Sequence, residues 1–357
     1  MKTALLRAQR AARLARVAAV ASLAVLLGGE RARAAEPTAA PARLSETGLY
    51  TSAGVVDPAN RPFTPQYPLW TDGAAKSRWI HLPAGTRIDV ADADAWQFPV
   101  GTKLWKEFAW NGRKVETRFS WRASERGWVF ATYVWNEAQD DATLAPAEGV
   151  PGVVDVGAVR RHSIPGLADC ESCHSATPVL GFDALQLSDD RDPLAPHAEP
   201  PPPDAVTLAT LLAEDLLAPS RHEWVRDPPR IRTTDPVERA ALGYLNGNCG
   251  GCHDSRGPLA RIGMVLRHDV AAPPDAPEPA FATAVGVAGD FVVPGVDPRD
   301  SRRVAPGAPE RSAILARMRS RRPSSQMPPL GTVLQDAQAI ELIERWIAGL
   351  DGSRPVP

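Results

Sequence analysis

Cysteine, methionine and histidine are scarce in this chain: 357 residues contain four, four and seven of them. Four cysteines are too few for a disulfide-dense scaffold, which would need many more in a much shorter chain. None of them lies near the N-terminus, so a lipid-anchored start through cysteine is excluded. Long apolar runs are missing as well. The most hydrophobic stretch, Val17 to Gly28, spans 12 residues, short of the ~20 that cross a bilayer as a helix. A basic excess is absent: the formal net charge is −2, which makes the chain a poor partner for nucleic acid. No nucleophile motif, catalytic triad or paired-acid motif stands out. Extended disorder is excluded because 44% of the residues are hydrophobic, while 36 prolines predict long irregular connections.

The short apolar stretch follows Lys2, Arg7, Arg10, Arg13 and Arg16 and precedes Ala32-Arg33-Ala34. That order reads as an export signal cut before Ala35. Removing residues 1–34 takes away seven basic residues and one acidic one, which leaves a mature balance of −8. The expected location is therefore periplasmic, with no membrane span after cleavage.

All four cysteines fall into two groups, Cys170-Glu171-Ser172-Cys173-His174 and Cys249-Gly250-Gly251-Cys252-His253. Both are C-x-x-C-H, the attachment signature of c-type haem. The spacing has a chemical reason. Thiols three residues apart lie on one side of a helical turn, where each can add to a haem vinyl group, and the adjacent histidine can present its imidazole to iron. A zinc ribbon places its two pairs ~15–20 residues apart and requires no histidine after either; here 75 residues separate the pairs. A disulfide requires no histidine either. With seven histidines in 357 residues, one after each pair arises by accident roughly four times in ten thousand. Two covalently bound haem c groups are expected, with Cys170, Cys173, Cys249 and Cys252 as attachment sites and His174 and His253 as iron ligands.

Eight of the ten tryptophans lie between Trp70 and Trp135, in a segment that reads as β structure. Val115, Thr117, Phe119 and Trp121 alternate with Glu116, Arg118 and Ser120. Leu104 to Trp110 precedes this strand across Asn111-Gly112, a dipeptide suited to a two-residue hairpin. Trp128 to Trp135 reads as a central strand covered on both faces, and Trp79 to Leu82 and Thr86 to Val90 are shorter candidates. The tryptophans read as core packing. Ser188 to Pro236, punctuated by Pro200 to Pro203 and Pro228-Pro229 with one helical piece around Val206 to Leu217, reads as a linker. Asp235-Pro236-Val237-Glu238 opens a helix toward Cys249 with an N-cap, a proline at the first position and an acid at the third. Asp336 starts a last helix with Ile340, Ile343, Ile347 and Leu350 on one stripe. Pro258 is placed to offer its carbonyl to the His253 Nδ1–H.

The order of helix, C-x-x-C-H, methionine loop and amphipathic helix resembles class I cytochrome c over the last third of the chain. The resemblance implies Cys249 and Cys252 as thioether sites, His253 as proximal ligand, and Met327 of Gln326-Met327-Pro328-Pro329-Leu330 as distal ligand. The whole order, from Leu44-Ser45-Glu46-Thr47-Gly48-Leu49-Tyr50 through Phe98-Pro99-Val100-Gly101-Thr102 to the two motifs, resembles a family of exported di-haem cytochromes whose reaction is not established. The first part also resembles cytochrome P460 and β-type cytochrome c′, through Phe98 to Thr102, Lys106-Glu107, Gly127-Trp128-Val129-Phe130 and Cys170 to His174. In P460 a lysine is bonded to the haem; Lys103 and Lys106 lie in the corresponding segment and read on their own as solvated strand lysines.

The expected fold is α+β and multidomain: a signal peptide (1–34), a Trp-rich β-sandwich-like domain ending in the first haem site (35–187), a linker (188–235) and a mainly α class I cytochrome c domain (236–357). The expected function is a periplasmic di-haem cytochrome carrying electrons between other redox proteins, an electron-transfer protein rather than a catalyst. The alternatives are a haem enzyme with an open first haem, either P460-like oxidase or di-haem peroxidase, and an electron-delivering protein with a β binding module. No methionine lies between Ala35 and His253, so the first haem has no local methionine partner.

Overall fold

The computed structural model describes residues 39–52, 54–157, 160–174, 177–257 and 259–351. The chain divides into two units, Met1–Pro37 and Thr38–Pro357, and every described residue belongs to the second. The export signal and Pro258 lie outside the described residues. Among those described, no helix is long and apolar enough to cross a membrane.

The strands in chain order are β1 (Tyr50–Ser52), β2 (Val55–Val56), β3 (Arg61–Pro62), β4 (Ala75–His81), β5 (Ile88–Asp89), β6 (Lys103–Trp110), β7 (Arg113–Ser124), β8 (Gly127–Trp135), β9 (Ala142–Leu144), β10 (Val150–Gly157), β11 (Arg160–Ile164) and β12 (Leu217–Ala218). Six of them form one antiparallel sheet in the order β3-β4-β6-β7-β8-β9. The β6–β7 hairpin turns at Asn111 and Gly112, with φ of 50° and 75°, the positive pair that a twisted two-residue hairpin demands. Helices are short: α1 (Leu167–His174), α2 (Leu208–Ala213), α3 (Glu223–Arg226), α4 (Pro236–Asn248), α5 (Pro279–Ala284), α6 (Ala313–Arg319) and α7 (Ala337–Gly349).

Alternation along the long strands sorts their side chains onto two faces. One face carries Trp105, Phe119, Ala131, Tyr133 and Trp135, packed on Leu44, Leu49 and Ala142. The indole of Trp105 donates to Thr47 Oγ1 and that of Trp135 to Thr117 Oγ1, each at 2.9 Å, so both polar tips are satisfied where they are buried. The opposite face is apolar at Ile80 and Leu104, which join a second buried cluster, and polar nearer α1, where Lys106 faces Arg118, Arg118 faces Thr132 and Phe108 faces Glu116 across the strands.

The β-sandwich and the separate class I cytochrome c domain are both overturned. A single six-stranded antiparallel sheet dominates, and among the described residues the other sheets have two strands each; the small β5–β12 pair and irregular segments pack on it where a second full sheet was expected. The region 236–357 does not form a mainly α domain. Its two longest helices have 13 residues each, and proline- and glycine-rich loops connect them. Its core is shared, because Tyr67, Leu185 and Ala195 are buried among the side chains of α4 and α7. The stretch 188–235 also contributes to the interior: Val206, Leu208, Leu211, Leu212, Leu217 and Trp224 pack with Phe63, Ile80, Ile88, Val90 and Trp96, and β12 pairs in parallel with β5.

The Tyr67 segment reaches the C-terminal core because α4 carries glycine where the two meet. A Cβ on Gly243 would lie 2.0 Å from the Tyr67 ring, and one on Gly247 2.3 Å from the Tyr67 carbonyl oxygen. The Tyr67 hydroxyl lies 3.1 Å from Asp192 Oδ2. Gly243→Ala is therefore expected to destabilise the protein by at least ~1–3 kcal/mol through overpacking. Gly349→Ala, near the end of α7 with nothing within 4 Å of the added Cβ, is expected to be neutral or stabilising. Denaturant midpoints of the two variants check both expectations; equal loss in both would rule out the Tyr67 contact as the cause.

Candidate functional site

Both cysteine motifs open into one cavity of about 580 Å3, within the usual range for small-molecule sites. Cys170, Cys173, His174, Cys249, Cys252 and His253 all line it, as do Met264, Met318 and Met327. The two motifs lie near each other: interaction between the Cys173 and Cys252 thiols pulls Cys173 down to about 6 and pushes Cys252 up. Burial alone pushes Cys249 up to about 12.

Local structure explains how each motif is presented. The first occupies α1, which follows β11 through Gly166. A Cβ at Gly166 would lie 2.7 Å from the Ala147 carbonyl oxygen, and Leu167 N donates to that same oxygen at 2.8 Å. His174 Nδ1 donates to the Pro178 carbonyl at 2.8 Å. That bond fixes the tautomer and leaves Nε2 as the free donor atom for a metal. Burial, with smaller contributions from Lys106 and Arg118, pushes His174 down to about 4, so the ring is neutral. The Phe130 ring lies 5.0 Å from it.

The second motif continues from α4, as the cap read from the sequence requires. Asp235 accepts from Val237 N at 2.8 Å and from Glu238 N at 2.9 Å, satisfying two donors of the first turn. Beyond the helix, Cys252 N and His253 N both donate to the Cys249 carbonyl, at 3.1 and 2.9 Å. His253 Nδ1 is buried and has no hydrogen-bond partner among the described residues. Burial and then Arg317 lower its pKa.

Covalently attached haem would need thiol pairs and imidazoles placed as these are. Each motif offers two thiols on one turn, and the imidazoles and three thioethers line the same cavity. The remaining histidines do not line the cavity. His268 Nδ1 lies 2.9 Å from Glu278 Oε2, His197 Nε2 lies 2.9 Å from Asp336 Oδ1, His81 is half-buried on β4, and His222 is exposed. Lys103 sits on the sheet face away from α1 and donates to the Thr47 carbonyl at 2.7 Å. Lys106, on the near face, is half-buried and its pKa is driven well down by burial, then by Arg78, Lys76 and Arg118.

Sequence reasoning missed a buried charge network beside the first motif. Arg118 lines the cavity and binds Glu116 through Nη2 to Oε1 at 2.8 Å and Nε to Oε2 at 3.3 Å. His162, 1% exposed, stands between Glu116 Oε1 at 3.4 Å and Asp72 Oδ2 at 2.9 Å. Asp72 Oδ1 accepts from Val333 N and Leu334 N at 2.9 Å each, just beyond the methionine loop. The alternation of β7 placed Glu116 and Arg118 on one face, but nothing local in the sequence links them to Asp72.

No protein-family model, curated protein or solved structure matches the chain. The likenesses drawn from its motifs rest on those residues alone.

Burial opposes the charge on His162, but Asp72 and Glu116 outweigh it and hold its pKa above the ordinary value. The stabilisation from the imidazolium is fully present below the unfolded pKa of ~6.5 and is lost as pH rises through the higher folded value. His162→Gln is expected to cost ~3–5 kcal/mol at low pH, as for a broken buried pair, and less as pH rises through the folded pKa. Chemical denaturation of both proteins across pH measures the gap; a gap that widens with pH contradicts the assignment.

Proposed function

We propose that this chain is an exported di-haem c-type cytochrome that carries electrons between periplasmic redox proteins. The observation that supports it most is the pairing of two C-x-x-C-H motifs around one cavity, which the two cysteines and the histidine of each motif line. A bound haem supplies a one-electron ferric/ferrous couple. The residues have separable tasks. Cys170 and Cys173, and Cys249 and Cys252, hold the two groups covalently as thioethers. His174 and His253 present Nε2, and the Pro178 carbonyl fixes the ring of His174. Met327 offers its thioether from a loop tied to α6 by Met327 N donating to the Arg317 carbonyl at 3.1 Å. A partner redox protein docks where a haem edge meets solvent.

A second reading, a haem enzyme with an open first site, is favoured by one observation: among the described residues, His174 and His253 are the only histidines that line the cavity. Carbon monoxide added to the reduced protein separates the two readings. Uptake at one haem favours the enzyme, and no uptake favours the carrier with two saturated irons.

The mature protein is expected to have the mass of residues 35–357 plus two haems, retained after denaturation in acidic organic solvent. Haem released by that treatment, or zinc found in its place, ends the cytochrome reading. Met327→Ala is expected to abolish the sulfur-to-iron band at the red end of the ferric spectrum while both haems stay attached. A surviving band transfers the ligand role to Met264 or Met318, which line the same cavity.

A further inference from the structure

The polar face of the sheet carries more positive charge than its own carboxylates neutralise. Strand register places Arg78 opposite Lys106 and Lys106 opposite Arg118, with Thr132 completing the row. Adjacent strands lie about 4.8 Å apart, so three cationic side chains rise side by side from consecutive strands. Lys76 joins them one position along, opposite Phe108. The Phe108 ring lies beneath the group, with Arg118 Cζ, Lys106 Nζ and Lys76 Nζ at 4.4, 5.1 and 5.9 Å from its centre.

The anions nearby are engaged or distant. Among the described residues, Glu116 is the one carboxylate paired with a member of the row, and it already serves Arg118 and His162. Asp72 binds His162 and two backbone amides. Asp336 holds His197 and the Tyr244 hydroxyl, and Glu199 is exposed and acts on Arg78 and Lys76 only at longer range. Arg78 is 6% exposed, yet neither it nor Lys106 makes a side-chain ion pair or hydrogen bond to a described residue, and Lys76 Nζ reaches only the Ala74 carbonyl at 3.3 Å. Like charges directly opposite across strands repel, and partly buried cations without partners are costly. A fold keeps such a row when an anion completes it.

We propose that Arg78, Lys106 and Arg118, with Lys76 beside them, form a binding site for an anion with several carboxylate or oxyanion oxygens, next to the first C-x-x-C-H motif. Phe108 and Phe130 give the site an apolar floor and flank, and Arg118 connects it to the cavity. The anion is either a diffusible oxyanion or the carboxylates of a cofactor attached at Cys170 and Cys173. The site itself is built from strand residues and goes beyond the cytochrome reading.

Calorimetric titration of the purified full chain with sodium sulfate at low ionic strength, together with a redox titration, tests this. A diffusible anion predicts one sulfate per chain, with affinity reduced at least tenfold in Lys106→Gln and in Arg78→Gln and retained in Lys106→Arg. Cofactor carboxylates predict no sulfate heat, while Lys106→Gln lowers the midpoint potential of one haem and leaves the other unchanged, because removing a nearby cation disfavours the reduced state. The proposal is overturned if sulfate gives no heat and neither glutamine variant moves a potential, or if sulfate binds wild type and both variants alike. A preparation without covalent haem refutes the cytochrome reading, and the calorimetry then decides the anion site by itself.

Discussion

Asp72 ties together three parts of the chain that have no sequence proximity. Its Oδ2 faces His162 on β11, its Oδ1 accepts the Val333 and Leu334 amides, and its carbonyl accepts the Trp110 indole at 3.0 Å. A buried carboxylate is tolerable only when its lone pairs are used, and here Oδ2 is taken by His162 and Oδ1 by two adjacent amides of the 333–334 segment. The result ties β11, which leads into the first motif, to the sheet and to the segment that follows the Met327 loop. Asp72 adopts a φ of 45°, a left-handed conformation that Asp accepts more readily than most residues. The network continues through Glu116 to Arg118, so the wall of the cavity and the anchor of the methionine loop belong to one connected set of charges.

The second constraint is packing. Gly243 and Gly247 let α4 press against Tyr67, and α4 runs directly into the second motif. The position of Cys249 therefore depends on a segment nearly two hundred residues earlier in the chain. The core of the C-terminal region is therefore completed by side chains from earlier in the chain, Tyr67, Leu185 and Ala195.

Much of the local structure was legible in the sequence. Asn111-Gly112 marks the β6–β7 turn, Asp235-Pro236 marks the start of α4, Asp336 marks the start of α7, and the alternation in β7 separates Phe119 from Arg118. These signals act over a few residues, where backbone preference and side-chain spacing decide. The arrangement of elements was not legible in the same way. One six-stranded sheet dominates where a sandwich was expected, because Trp105, Tyr133 and Trp135 are covered by Leu44 and Leu49, from a segment too short and irregular to announce itself. Leu208 and Leu217 were assigned to a linker because prolines interrupt their periodicity, yet both are buried. In the site, the cysteines and motif histidines were readable from spacing alone, whereas the Asp72–His162–Glu116–Arg118 network depends on long-range register. The carbonyl expected from Pro258 has a counterpart at the other motif, where Pro178 performs that task for His174.

The central claim is that the two motifs serve one shared cavity and act as a coupled pair. Circular dichroism in the Soret region tests it directly, because two haems held close together exchange excitation and give a bisignate signal. The account predicts a couplet in the wild-type protein that disappears in each of two variants, Cys170→Ser with Cys173→Ser and Cys249→Ser with Cys252→Ser. A wild-type spectrum equal to the sum of the two single-haem spectra would show that the motifs hold independent centres, and would contradict the account.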